Sequence, residues 1–116
     1  MKKILASTVV LLAALSCNVF AGDKVAAGKA LAEKQNCAAC HGADFNTPID
    51  PSYPKLAGQH EDYLVTAMIA YKRGGNGANG RGNAIMGAQV SALSRQDIEN
   101  IAAYLHSLPG SLVLRK

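Results

Sequence analysis

Five consecutive residues hold most of the chemistry in this 116-residue chain: Cys37-Ala38-Ala39-Cys40-His41. Two thiols three positions apart, with an imidazole directly after the second, make the C-x-x-C-H spacing at which haem is attached to a polypeptide. Cys37 and Cys40 can each add to one vinyl group of the same porphyrin, giving two thioether bonds. His41 follows at once, so its imidazole reaches the iron from the face on which the sulfurs hold the ring. Ala38 and Ala39 are small enough to leave room for the porphyrin edge.

Blander chemistries of a C-x-x-C pair fit less well. A structural zinc needs four ligands. The chain has three cysteines, one of them (Cys17) near the N-terminus, and His60 and His106 form no closely spaced pair. A thioredoxin-like dithiol belongs in a βαβ pattern, and no strand-rich segment is visible. A plain disulfide leaves His41 without a role.

The elements that must position these residues begin after a leader. Lys2 and Lys3 precede an apolar run from Ile4 to Leu15, and Val19-Phe20-Ala21 places small or apolar residues where a signal peptidase reads. The run is too short to anchor the chain across a bilayer. Cleavage is expected after Ala21, leaving residues 22–116 as one domain. A lipid anchor at Cys17 is not expected, because Ala14 stands where such leaders prefer leucine. Only Cys37 and Cys40 then survive, and an exported domain this small commonly needs a staple. A haem would serve, as a large apolar disc around which short helices bury their faces. The full chain carries a formal charge of +4, and losing Lys2 and Lys3 leaves +2. The bases form no run or stripe, so no nucleic-acid partner is expected.

Three helices are predicted. The first runs from about Asp23, as N-cap, to Gln35, with Val25, Gly28, Leu31 and Ala32 as a weak apolar stripe. The second runs from about His60 to Arg73, where Leu64, Ala67, Met68 and Tyr71 share a face and Gly74-Gly75 stops the helix. The third runs from about Ser94 to Ser107. Ser94 and Asp97 resemble a capping box, Ile98, Ile101, Ala102 and Leu105 share a face, and Pro109-Gly110 ends it. Residues 42–58 hold Pro48, Pro51 and Pro54 and cannot form a long helix. Residues 74–87 hold six glycines and three asparagines, and read as a long functional loop.

A low-spin electron carrier needs a second iron ligand opposite His41. Met68, Met86, His60 and His106 are candidates, and a lysine is also chemically possible. Met68 lies in an amphipathic stripe and reads first as core packing. His106 suits a helix C-terminus, and His60 a surface position near a helix start. Met86 lies in Asn83-Ala84-Ile85-Met86-Gly87, past the glycine-rich stretch, where a loop rather than a helix face would aim it, and Gly87 leaves backbone room beside a flat ring. Met86 is the choice, with loop packing as its alternative.

These residues together resemble class I c-type cytochromes, particularly the small monohaem proteins of the bacterial periplasm. The resemblance rests on Cys37-Ala-Ala-Cys-His41-Gly42-Ala43-Asp44, Pro54-Lys-Leu-Ala-Gly58-Gln59, Tyr63-Leu64, Asn83-Ala-Ile-Met86, Leu93-Ser94 and Ala102-Ala103-Tyr104-Leu105. It spans nearly all of residues 22–116. It implies an all-α class I cytochrome c fold: three main helices and irregular loops around one covalent haem c, the first and last helices crossing at Gly28 near Tyr104. It implies that His41 and Met86 are the axial iron ligands and that the Pro54 carbonyl accepts a hydrogen bond from the far imidazole nitrogen. The segment Phe45 to Tyr53 departs from the family's plainer turn.

The expected work is one-electron shuttling between respiratory redox proteins in the periplasm, not enzymatic catalysis. Partner contact should be brief, the chain a monomer, and nothing should stay in the membrane once the leader is removed. Lys55, Lys72, Arg73 and Arg81 either ring the exposed haem edge to steer an acidic partner or are ordinary solvated charges. Two alternatives share the motif: a haem subunit of a larger dehydrogenase or oxidase, and a haem enzyme or gas sensor with an open iron position.

Overall fold

The computed structural model describes residues 20–111. The expected leader, Cys17 included, lies outside the described residues except for Phe20 and Ala21. Five helices follow one another: α1 (Phe20–Lys34), α2 (Ala38–His41), α3 (Glu61–Arg73), α4 (Ala84–Val90) and α5 (Arg95–Ser107). No strand occurs among the described residues.

α1 starts earlier than the sequence suggests. Asp23 is not its N-cap but lies within its first turn, where a carboxylate still complements the helix dipole. The helix stops at Lys34 because Asn36 adopts the left-handed conformation at φ 54°. The N–H of Asn36 donates to Glu33 O at 3.0 Å and that of Cys37 to Ala32 O at 3.1 Å, a Schellman turn with asparagine at its left-handed position. This turn delivers the chain into Cys37.

α3 and α5 match their predicted spans closely. His60 sits at the N-cap position of α3. Ser94 accepts from the N–H of Asp97 while the Asp97 carboxylate accepts from the N–H of Ser94, so the capping box is complete. A cap of this kind is worth about 1 kcal/mol. Ile98, Ile101, Ala102 and Leu105 are all buried, as their 3.6-residue spacing requires.

α4 is a departure. The glycine-rich stretch ends at Asn83, whose Oδ1 accepts from the Met86 N–H at 2.9 Å and starts a seven-residue helix. Met86 therefore sits in the first turn of a helix rather than in a loop.

The most extensive helix contact is between α1 and α5. Gly28 makes it possible: a Cβ there would stand 1.8 Å from the backbone oxygen of Asn100 and 2.9 Å from Tyr104 Cβ. The crossing implied by the resemblance is present. α3 packs against α4 and α5 and completes the bundle. The loop 42–58 is bound to this frame through its backbone. Phe45 is buried, meets the Tyr104 ring edge-on at 5.9 Å, and its carbonyl accepts from Leu56 and Ala57 at 2.8 and 3.0 Å. Gly58 donates to Leu105 O at 2.9 Å. The three prolines thus lie in a segment pinned at both ends.

Candidate functional site

The motif folds as one helical turn. The N–H of His41 donates to Cys37 O at 3.1 Å, and that of Gly42 to Ala38 O at 2.9 Å. Residues at i, i+3 and i+4 share a helix face, so the C-x-x-C-H spacing turns Cys37, Cys40 and His41 to one side. Gly42 then leaves the turn at φ 89°, and a Cβ there would collide with Thr47 O at 2.2 Å. Beyond it, Ile49 donates from its backbone to Cys40 O at 3.1 Å, and the Asp44 carboxylate accepts from the N–H groups of Asn46 and Thr47. These bonds, first that of Asn46, hold the Asp44 carboxyl below its usual range.

All three motif side chains line one cavity, which opens in part to solvent. Its wall is apolar: Leu56, Leu64, Ala67, Val90, Ile101 and Leu105. The whole predicted stripe of α3, from Leu64 to Tyr71, faces it. Burial pushes the Cys37 thiol above its ordinary pKa; its own backbone hydrogen bond lowers it, and the neighbouring Cys40 raises it again. Both cysteines are free of disulfide bonds. Among the described residues no three His, Cys, Asp or Glu side chains cluster as metal ligands.

His41 is buried, and its Nδ1 donates to the Pro54 carbonyl at 2.9 Å. That bond fixes the tautomer and ring orientation and leaves Nε2 without a proton, free to bind a metal. The Tyr53 ring lies 6.4 Å from the imidazole, tilted by 48°. Met86 lines the same cavity from α4, and so does Met68 from α3. Met68 is buried and belongs to the core cluster, whereas Met86 packs against that cluster from its edge. Neither remaining histidine lines the cavity. His106 donates from Nδ1 to Gln59 O at 2.7 Å and ties α5 to the segment before α3.

Two thiols, an oriented imidazole, an apolar wall and sulfur donors in one cleft fit a covalently bound haem, whose iron takes nitrogen and thioether ligands. The family model for cytochrome c matches residues 25–109. This chain belongs to the cytochrome c family. Haem c is the family's covalent cofactor, and the C-x-x-C-H motif that takes it stands here at Cys37, Cys40 and His41. The helices α1, α3 and α5 with their irregular loops are the class I cytochrome c fold. The chain is similar to cytochrome c4 of Stutzerimonas stutzeri, 40% identical over 116 residues that make up 97% of this chain and 53% of that protein. It is 43% identical to cytochrome c4 of Pseudomonas aeruginosa over 107 residues, 92% of this chain and 49% of that one. It thus spans about half the length of these two relatives. Cytochrome c-554(547) of Halothiobacillus neapolitanus is matched over 99% of its length, with 37% identity across 94 residues and 76% of this chain.

Sequence reasoning named Arg81 and Lys72 at the cavity edge but missed the contacts they make. Arg81 lines the cavity with its guanidinium carbon 5.6 Å from the ring centroids of both Tyr63 and Tyr71. Lys72 donates to the carbonyl of Leu93, so it is not the unengaged charge that partner steering would want. The Asn36 turn and the Asn83 cap each rest on one asparagine, a residue that favours such positions, and could have been found by that signal.

Proposed function

We propose that this protein is a one-electron carrier holding a single haem c. Cys37 and Cys40 would bear the thioether bonds, and His41 and Met86 would bind the iron. The observation that supports this most is the Nδ1 bond of His41 to Pro54, which leaves Nε2 for the iron in the cavity both thiols share. Haem c supplies a metal centre that cycles between ferric and ferrous states without bonding a substrate. The chain's own residues do the rest. Pro54 orients the His41 ring and limits its movement, so little geometry changes between states. A methionine sulfur opposite histidine raises the reduction potential, and the apolar wall disfavours the extra charge of the ferric state. With both positions filled, the chain carries electrons and is not an enzyme.

Tyr63 and Ile85 line the cavity and are 47% and 54% exposed, so an apolar rim borders it at the surface. Such a rim suits short contacts with other redox proteins, whose interfaces are small. The chain acts in the periplasm as a monomer, its leader removed after Ala21 and residues 22–116 forming one domain. Among the described residues no helix is long and apolar enough to cross a membrane. Residues 1–21 supply the export signal instead, and the pattern of Lys2, Lys3 and the apolar run supports this.

The test is the ferric spectrum of protein matured in a host that attaches haem c. A sulfur-to-iron charge-transfer band is expected, and a high-spin spectrum would instead favour an enzyme or sensor with an open iron position. Met86→Ala should abolish the band while Met68→Leu retains it; the reverse pattern would move the ligand to α3. Mass analysis should show one haem on a chain beginning at Gly22. Size exclusion of the native protein separates a free carrier from a permanently bound subunit.

A further inference from the structure

We propose that Arg81 is a positioning residue for Met86. Wedged between Tyr63 and Tyr71 of α3, it holds the glycine-rich stretch on that helix and so keeps the first turn of α4 against the cavity.

The stretch before α4 has little else to fix it. Five of its residues are glycines (Gly74, Gly75, Gly77, Gly80 and Gly82) with no side chain to pack. It closes backbone on backbone, since a Cβ on Gly80 would fall 1.7 Å from Gly74 O. Among the described residues, Arg81 is the one member of residues 75–82 hydrogen-bonded to a helix, its N–H donating to Ala70 O at 2.9 Å. Its guanidinium carbon is equidistant from the two tyrosine centroids at 5.6 Å. A planar cation between two aromatic rings is attracted by both. Two positions on, Asn83 caps α4 through the Met86 N–H.

The two ends of α4 are held differently. Val90 and Leu93 are buried in the core, and Lys72 binds the Leu93 carbonyl, so the far end is fixed from several sides. At the near end Ile85 is exposed and Met86 only half-buried. A seven-residue helix has no stability of its own. The near end therefore depends on its attachment through Asn83 and Arg81. Loosening it lets Met86 leave the cavity more often.

The inference rests on Met86 as the axial ligand. It is read by titrating the ferric haem-loaded protein with imidazole, which binds only when the sulfur has left. The apparent affinity of such a ligand scales with the open fraction. Losing two ring contacts in Arg81→Ala should raise imidazole affinity about five- to thirty-fold. Arg81→Lys keeps the charge but lacks the planar fork, so a smaller rise is expected. Arg95→Ala, in the groove on the other side of Arg81, should leave the affinity unchanged. If the parent protein lacks the sulfur-to-iron band, Met86 is not the ligand and this role of Arg81 falls with it. If the band is present and Arg81→Ala binds imidazole as the parent does, Arg81 alone is refuted and Met86 stands. A lysine variant equal to the parent would replace wedging by charge. An equal rise in Arg95→Ala would show general loosening. Either result overturns the proposal.

Discussion

The crossing of α1 and α5 gives a prediction whose sign separates two physical effects. Gly28→Ala should stabilise the protein if helix propensity decides, because alanine is preferred to glycine in a helix interior by about 1 kcal/mol. The structure argues the opposite. The new Cβ would lie 1.8 Å from Asn100 O, 2.5 Å from Asn100 C and 2.9 Å from Tyr104 Cβ. Two of these atoms are backbone of the facing helix, so no rotamer change relieves the contact. The helices must part by roughly 1.5 Å to regain van der Waals separation. That disturbs the packing of Ala32, 1% exposed, and the edge-on contact of Tyr104 with Phe45. Overpacking a core costs about 1–3 kcal/mol and occasionally more, and a clash with backbone belongs at the upper end. Net of propensity, about 2 kcal/mol should be lost. For a domain of this size each kcal/mol shifts Tm by about 4–8 °C, so a fall of roughly 8–16 °C is expected. Thermal unfolding of the ferric holoprotein followed by far-UV circular dichroism measures it. A variant melting at or above the parent temperature would refute the close crossing.

Other perturbations test other parts. Asn83→Ala removes the cap of α4 and should cost about 1 kcal/mol, read by thermal unfolding, and also weaken the sulfur-to-iron band relative to the parent. Ser94→Ala should cost a similar amount by breaking the capping box, with no effect on the band. Asp44, Asp50 and Asp97 all have pKa values held below the usual carboxylate range: Asp44 first by the Asn46 N–H, Asp50 by the Ser52 hydroxyl, Asp97 by the Ser94 N–H. A lowered folded-state pKa stabilises above the unfolded value of about 3.9 and is lost as pH falls through the folded value. Tm should therefore be insensitive to these groups above about pH 5 and fall below about pH 4, with a shallower fall in Asp97→Asn. Electron-transfer rates should depend weakly on ionic strength, because the chain without Lys2 and Lys3 carries a formal charge of only +2. A steep dependence would restore the steering role to the basic residues.

The parts of this molecule that were legible in its sequence are those fixed by local chemistry. The C-x-x-C-H spacing turns three side chains to one face in any single helical turn, so Cys37, Cys40 and His41 could be grouped without a fold. α3 and α5 were legible because their apolar spacing, the Gly74 stop and the Ser94–Asp97 pair agree with one another. α4 was not, because seven residues show too little periodicity, and the glycines before it suggested a loop running through Met86. The cap at Asn83 reverses that reading: one side-chain oxygen taking the Met86 N–H is enough to start a helix that the core then holds at Val90. The start of α1 was misplaced for a related reason, since an aspartate serves a cap and a first turn equally well. Arg81 belongs to a different class. Its partners Tyr63 and Tyr71 lie 18 and 10 residues before it, and only the return of the glycine-rich stretch onto α3 brings all three together. The Cys37–His41 end of the cavity is thus written in adjacent residues, while the Met86 end depends on how a nearly side-chain-free loop is held down. That asymmetry says where variation should be felt. On the proposed ligation, changes around Cys37 to His41 would remove the cofactor, whereas changes at Arg81 or Asn83 would leave it attached and alter how often its iron is exposed.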